Sequence, residues 1–179
     1  ELFDANARRH SYRGPFAERD VSRADLVRIV EAGLMAPSGK NAQTTQFVIV
    51  DDSARVAEIQ AIPSKNRAIS EAKAYIVCVV DSVPEPIYEG HSFVLEDCAA
   101  AVENMLLAIT ALGYATVWID GWLRVEGRGE RIQGIIELPE EKSVQILLPI
   151  GVPLEQWQPK EKLPFDQRVC FNCYSLYSK

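Results

Sequence analysis

Apolar residues recur at three- and four-residue spacing from Leu26 through Ile29 and Val30 to Leu34, which predicts an amphipathic helix. Ser22 stands as its N-cap with Asp25 three positions on, Val21 and Leu26 are placed for a hydrophobic staple, and Pro37 ends it. A shorter helix is predicted over Leu2–Arg8, and the polar stretch Arg9–Asp20 is a loop between the two. Phe47–Val50 and Tyr75–Val80 are short runs rich in β-branched residues, each followed by Asp, and read as buried strands joined by a helix over about Ser53–Ile62. The strongest helix is Val94–Leu112. Its polar positions fall at Glu96/Asp97, Glu103/Asn104 and Thr110, which leaves one narrow wet stripe on a cylinder that must otherwise be covered. Strands over Ala115–Ile119 and Val144–Pro149 bracket a helix near Glu130–Leu138, stopped by Pro139.

Helical and strand signals therefore alternate without an internal repeat, which points to an α+β or α/β layered architecture. After Gly151 the pattern fails. Val152–Lys179 holds three prolines and no sustained period, and it reads either as a solvated terminus or as an arm that crosses a partner subunit.

With 179 residues and 47% hydrophobic content, the chain suits one domain over 1–179 with a single sizeable core. A net charge of −6 supplies no basic field for nucleic acid or an anionic membrane, so a small-molecule partner is expected. The long apolar segment carries Glu96, Asp97 and Glu103, which argues against a membrane span. Cys78, Cys98, Cys170 and Cys173 are scattered, as expected of free thiols in a reducing cytoplasm. The chain starts at Glu1, which leaves a removed leader open.

Several common motifs are missing. The only Gly-x-Gly, Gly127-Arg128-Gly129, follows no strand and lacks the third glycine of a dinucleotide-binding turn. Gly39-Lys40-Asn41 lacks the Ser/Thr and the upstream glycine of a phosphate loop, and no Gly-x-Ser-x-Gly elbow is present. His10, His91 and one C-x-x-C at Cys170/Cys173 are too few ligands for a structural zinc site, so no metal is expected. Two cationic clusters remain, Arg9-His10-Ser11-Tyr12-Arg13 near the start and Lys160 with Lys162 in the tail. Each is either solvated surface or part of an oxyanion site, for which Arg offers a bidentate fork and Lys a point charge.

Four segments in order extend this picture: Arg9-His10-Ser11-Tyr12-Arg13-Gly14-Pro15-Phe16, Ala36-Pro37-Ser38-Gly39-Lys40-Asn41-Ala42-Gln43, Ile119-Asp120-Gly121 and Lys160-Glu161-Lys162-Leu163-Pro164. Together they resemble the FMN-dependent nitroreductase family, over about Arg8 to Arg168. The resemblance implies an α+β three-layer sandwich, with a mixed, mostly antiparallel sheet wrapped by helices, in a homodimer holding two FMN at the subunit interface. Val94–Leu112 would then supply the interface core, the alternative being a helix wholly buried within one subunit, and 152–179 would be the arm that embraces the partner.

By the same resemblance Arg9, Ser11, Lys160 and Lys162 match ligands of the FMN phosphate. His10 and Arg13 match residues along the ribityl chain or the pyrimidine end of the ring. Pro37, Ser38, Asn41 and Gln43 match the loop lining the isoalloxazine, and Asp120 and Gly121 match a turn whose backbone N–H is directed at flavin N5. Two departures stand out: Thr44-Thr45 follow Gln43 where the family often has Pro-Trp, and the Cys170-Phe171-Asn172-Cys173 ending is not a family pattern. The cysteines of that ending are either a redox-active dithiol or two bystander thiols.

The implied activity is hydride transfer from NAD(P)H through flavin N5 to a small oxidant such as a nitroaromatic or quinone, with the flavin carrying the chemistry and no catalytic side chain. Two alternatives remain at this level. One is a flavin-binding dimer without nicotinamide turnover, and the other is a specialised flavin reductase or dehalogenase of the same fold, for whose lid the link between Asp81 and Phe93 leaves little room.

Overall fold

The computed structural model describes residues 2–174. The chain runs α1 (Leu2–Arg8), α2 (Arg23–Leu34), a single turn at Gly39–Asn41, β1 (Gln46–Val50), α3 (Ser53–Gln60), α4 (Arg67–Glu71), β2 (Ala74–Asp81), α5 (Val94–Ala111), β3 (Ala115–Thr116), α6 (Arg128–Ile135), β4 (Lys142–Gly151) and a short turn at Phe165–Gln167. The four strands form one sheet in the order β1-β2-β4-β3, and every described pair is antiparallel.

The central strand β2 is buried on both faces, and its alternating side chains feed two cores. Tyr75, Val77 and Val79 meet Val56 and Ile59 of α3, Ile69 of α4 and Ile132 of α6. Ile76, Cys78 and Val80 point the other way, onto Leu26 and Ile29 of α2 and Cys98, Val102, Met105 and Ile109 of α5. The result is the expected three-layer sandwich, helices over each face of a sheet. Cys78, Cys98 and Cys173 are free thiols, the first two buried and the third exposed.

Local signals account for much of this. Ser22 does cap α2, its hydroxyl accepting from the Asp25 N–H at 3.1 Å. The predicted strand Ala115–Ile119 forms a continuous ladder only at Ala115–Thr116, but Ile119 exchanges both backbone bonds with Leu147 in the same register. α4 has no counterpart in the sequence reading, because five residues are too short to show a helical period.

The N-terminal segment reaches the far edge of the sheet. Tyr12 N–H donates to the Thr116 carbonyl at 2.9 Å, Ala17 N–H to Val152 at 2.9 Å, and Leu154 N–H to Pro15 at 3.1 Å. Phe16 pairs opposite Pro153 and packs so closely on Gly151 that a Cβ there would meet its ring at 2.5 Å. Only glycine allows that approach. The loop after α1 and the chain leaving β4 are thereby zipped side by side.

α5 is not wholly buried. Leu95 is 54% exposed, Glu103 and Ala111 are exposed, and Ala99 and Leu107 are half-buried, so an open stripe runs the length of the helix. Leu2 and Phe3 of α1, and Leu34 and Met35 at the end of α2, are exposed as well. Beyond Pro153, every residue from Leu154 to Val169 is exposed, including Leu163 and Phe165, so this segment leaves the body of its own chain. Among the described residues, no helix is long and apolar enough to cross a membrane.

Candidate functional site

Zipping the two segments together brings the two cationic clusters to one place. Arg9, His10, Ser11 and Arg13 line a cavity of about 220 Å³ with Trp157, Gln158, Pro159, Lys160 and Lys162. Arg9 has one acidic neighbour, Glu103 of α5, at 3.7 Å. Arg13, Lys160 and Lys162 form no ion pair among the described residues. His10 Nδ1 lies 2.8 Å from the Arg8 carbonyl, and since a carbonyl can only accept, Nδ1 carries a proton. In a chain of net charge −6, these guanidinium and ammonium groups gather around one cavity with Glu103, beside Arg9, as the one carboxylate paired to them among the described residues, a setting that suits a multiply charged oxyanion. The donor set fits a phosphate monoester.

Tyr12 holds this arrangement together. Its side chain is fully buried; its hydroxyl donates to the Pro15 carbonyl at 2.5 Å and accepts from the Leu154 and Glu155 N–H groups at 3.2 and 3.4 Å. Its ring stands edge-on to Trp157 with centroids 5.6 Å apart. We expect Tyr12→Phe to lose about 0.5–1.5 kcal/mol of stability, because the buried hydroxyl's bonds to the Pro15 carbonyl and to the Leu154 and Glu155 N–H groups are lost together. Thermal unfolding with and without FMN measures both the loss and the weaker grip of the loosened arm.

A second group of expected residues sits on the loop between α2 and β1. Pro37, Ser38 and Gln43 line a small cleft of about 40 Å³ with Leu34, Thr44, Phe47, Asp97 and Ala101. Ser38 Oγ accepts from the Gln43 N–H at 3.0 Å, closing the loop on itself. Lys40, Asn41 and Gln43 have φ of 48°, 57° and 53°, a left-handed conformation that costs non-glycine residues about 1–2 kcal/mol each. Asn41 is exposed with its side-chain amide free to meet a ligand. Asp97, placed on the wet stripe of α5 by its spacing, is instead 7% exposed and bonded to this loop.

The third group is the turn after β3. The Asp120 carboxylate is held bidentately by Arg124 at 2.6 and 3.0 Å, and that partner raises the Arg124 pKa through hydrogen bonding and charge. The Asp120 side chain is thus committed to the turn. The neighbouring Gly121 is exposed, its N–H meets no backbone acceptor among the described residues, and a Cβ there would touch nothing within 4 Å. Only the backbone is on offer at this point.

Comparison with known proteins decides the family. The model of the nitroreductase family matches residues 7–85 and 88–152. The chain belongs to the nitroreductase family. A relative from Archaeoglobus fulgidus, named for NADH dehydrogenase/NAD(P)H nitroreductase activity, is 28% identical over 79% of this chain and 79% of its own. A Bacillus subtilis protein named FMN reductase [NAD(P)H] is 24% identical, over 83% of this chain and 65% of its own. Among solved structures, a Bacteroides thetaiotaomicron protein, also named for NADH dehydrogenase/NAD(P)H nitroreductase activity, superposes with a TM-score of 0.81 at 28% identity, covering 97% and 98% of the two chains.

Within this nitroreductase chain the twelve expected cofactor residues fall in three groups, not one pocket. Arg9, His10, Ser11, Arg13, Lys160 and Lys162 share a cavity; Pro37, Ser38 and Gln43 share another, with Asn41 beside them; Asp120 lines a third with Arg124, and Gly121 adjoins it. Two residues outside that set, Tyr12 and Asp97, hold the first two groups in shape. Tyr12 carries no sequence signal beyond its place in the Arg-His-Ser-Tyr-Arg run, and Asp97 carries a misleading one.

Proposed function

We propose that this member of the nitroreductase family is a homodimeric, FMN-dependent oxidoreductase that passes hydride from NAD(P)H to a small oxidant such as a nitroaromatic or quinone. The observation that carries the proposal is the convergence of cations from both ends of the chain on one cavity, with only Arg9 of them paired to a carboxylate among the described residues. The relatives named as NAD(P)H nitroreductase and FMN reductase point the same way. FMN, when bound, supplies the redox chemistry: a centre that accepts a hydride from one partner and yields reducing equivalents to the next.

The chain's own residues bind and orient. Arg9, Ser11, Lys160 and Lys162 take the phosphate; His10 and Arg13 follow the ribityl chain towards the pyrimidine end. Pro37, Ser38, Asn41 and Gln43 form the wall against the ring, with the Asn41 and Gln43 amides presented to its polar edge. The Gly121 N–H, on a turn braced by the Asp120–Arg124 pair, would serve flavin N5. No side chain is required as acid, base or nucleophile.

A second copy completes the site. The three groups do not close one cavity within a single chain, the stripe of α5 is uncovered, and residues 154–169 form an arm exposed along its length. An isologous dimer through α5 would cover the stripe and seat each arm on the other protomer. A cytoplasmic setting supplies NAD(P)H and keeps the four thiols reduced. Steady-state consumption of NADPH or NADH with a quinone or a nitroaromatic tests the activity. Turnover that depends on FMN is expected, and a protein that holds FMN yet consumes neither nucleotide would leave a flavin-holding dimer as the function.

A further inference from the structure

The loop of residues 38–45 is unusual in that it places three non-glycine residues at positive φ within four positions. Such backbone persists only where surrounding contacts over-determine it. Two side-chain bonds tie it to a neighbouring element, and both end on one side chain. Asp97 Oδ1 accepts from the Gly39 N–H at 2.8 Å, and Oδ2 accepts from the Thr44 hydroxyl at 2.9 Å. The carboxylate therefore grips the loop at both of its ends, five residues apart.

The surroundings suit an ionised carboxylate. Asp97 lies in the opening turns of α5, whose helix dipole favours negative charge and whose cap residue, Phe93, offers no side-chain acceptor. Bonds to an ionised acceptor are about twice as strong as neutral ones. Among the described residues no cation pairs with Asp97, so its charge is met by the helix end and by the loop itself. Phe93 packs on Gly39 so tightly that a Cβ there would lie 2.6 Å from its ring, and Lys40 stands over the Tyr88 ring at 4.7 Å. These apolar and cation–π contacts cover the loop from outside, and the Ser38–Gln43 bond with two backbone bonds closes it on itself; Asp97 ties that closed loop to α5.

We infer that Asp97, acting through the Gly39 N–H and the Thr44 hydroxyl, is a positioning residue that holds the loop in the conformation presenting Ser38, Asn41 and Gln43 to the flavin. The inference rests on the proposed FMN function. It also assigns a role to Thr44, where this chain departs from the Pro-Trp often found in its family: the hydroxyl latches the loop to α5.

Thr44→Val keeps the shape of the side chain and removes one bond, leaving a buried carboxylate oxygen unpaired. Thr44→Ser keeps the bond. Asp97→Asn keeps an acceptor for Gly39 and can donate to Thr44 in place of accepting. Three measurements follow: hydrogen–deuterium exchange of residues 38–45 in the flavin-free protein, visible circular dichroism of bound FMN, and the rate at which saturating NADPH bleaches FMN-saturated protein. Exchange of the loop should rise about tenfold or more in Thr44→Val while exchange of β2 and β4 is unchanged. The FMN dichroism should alter, and bleaching should slow by about tenfold or more, since a displacement near 1 Å can cost a hundredfold. Thr44→Ser should restore all three, and Asp97→Asn should fall between. Wild-type values in Thr44→Val, or equal loosening of loop and sheet, would overturn the positioning role. A wild-type protein that neither binds FMN nor is bleached overturns the proposed function itself, while the exchange result still reports on the latch.

Discussion

Arg9→Ala should weaken FMN retention by about tenfold or more, and the pair Lys160→Ala/Lys162→Ala by more than that. Each charge-assisted bond to phosphate is worth about 1.5–3 kcal/mol when water is kept away, and 1.4 kcal/mol is one decade in affinity. These side chains are not part of either hydrophobic core, and the lysines are exposed, so the flavin-free protein should unfold at its usual temperature. Riboflavin, which has the ring and ribityl chain but no phosphate, separates phosphate recognition from a general loss of binding. Its affinity should be unaffected by the lysine pair. Equal FMN affinity in wild type and Arg9→Ala, measured by fluorescence quenching, would mean that the phosphate sits elsewhere.

The second large effect is expected on assembly. Leu95→Arg should convert the proposed dimer to monomer and release flavin at the same time. Leu95 is 54% exposed on its own chain, so the arginine has water to point into and the monomer's core is untouched. In a twofold interface the substitution appears twice, and an uncompensated buried charge costs on the order of 3–5 kcal/mol. The expected shift in dimer dissociation is therefore a hundredfold or more. Light scattering across a dilution series reports the mass, and the absorbance of the eluted protein reports the flavin. A dimer that survives with its flavin would place the interface away from α5.

The layered fold was legible where one residue's neighbours decide its fate. Ser22 caps α2 because a hydroxyl before an apolar period has a local backbone partner to satisfy, and Tyr75–Val80 is buried because six apolar residues in a row suit a strand covered on both faces. α4 escaped because it is one turn longer than nothing measurable by period, held by Ile69 in the core and by the Asn66 cap.

The site was legible as motifs but not as machinery. The cations at Arg9–Arg13 and at Lys160 and Lys162 are chemically conspicuous, whereas their meeting depends on Phe16 lying against Gly151 and on Tyr12 bonding the start of the arm, contacts that join residues about 140 apart in sequence. Asp97 shows the limit most plainly. On a helical wheel it belongs with Glu96 and Glu103 on a solvated stripe; in the fold the 38–45 loop descends on it, and a surface charge becomes a buried anchor. Periodicity reports which face of a helix is polar, not what covers it.

Titrating the flavin-free protein with FMN, followed by visible absorbance and protein fluorescence, tests the central claim most directly. The account predicts a yellow complex with one FMN per chain, two per dimer, whose formation weakens when inorganic phosphate is raised to compete for Arg9, Ser11, Lys160 and Lys162. A colourless protein whose spectrum and fluorescence ignore added FMN would contradict it.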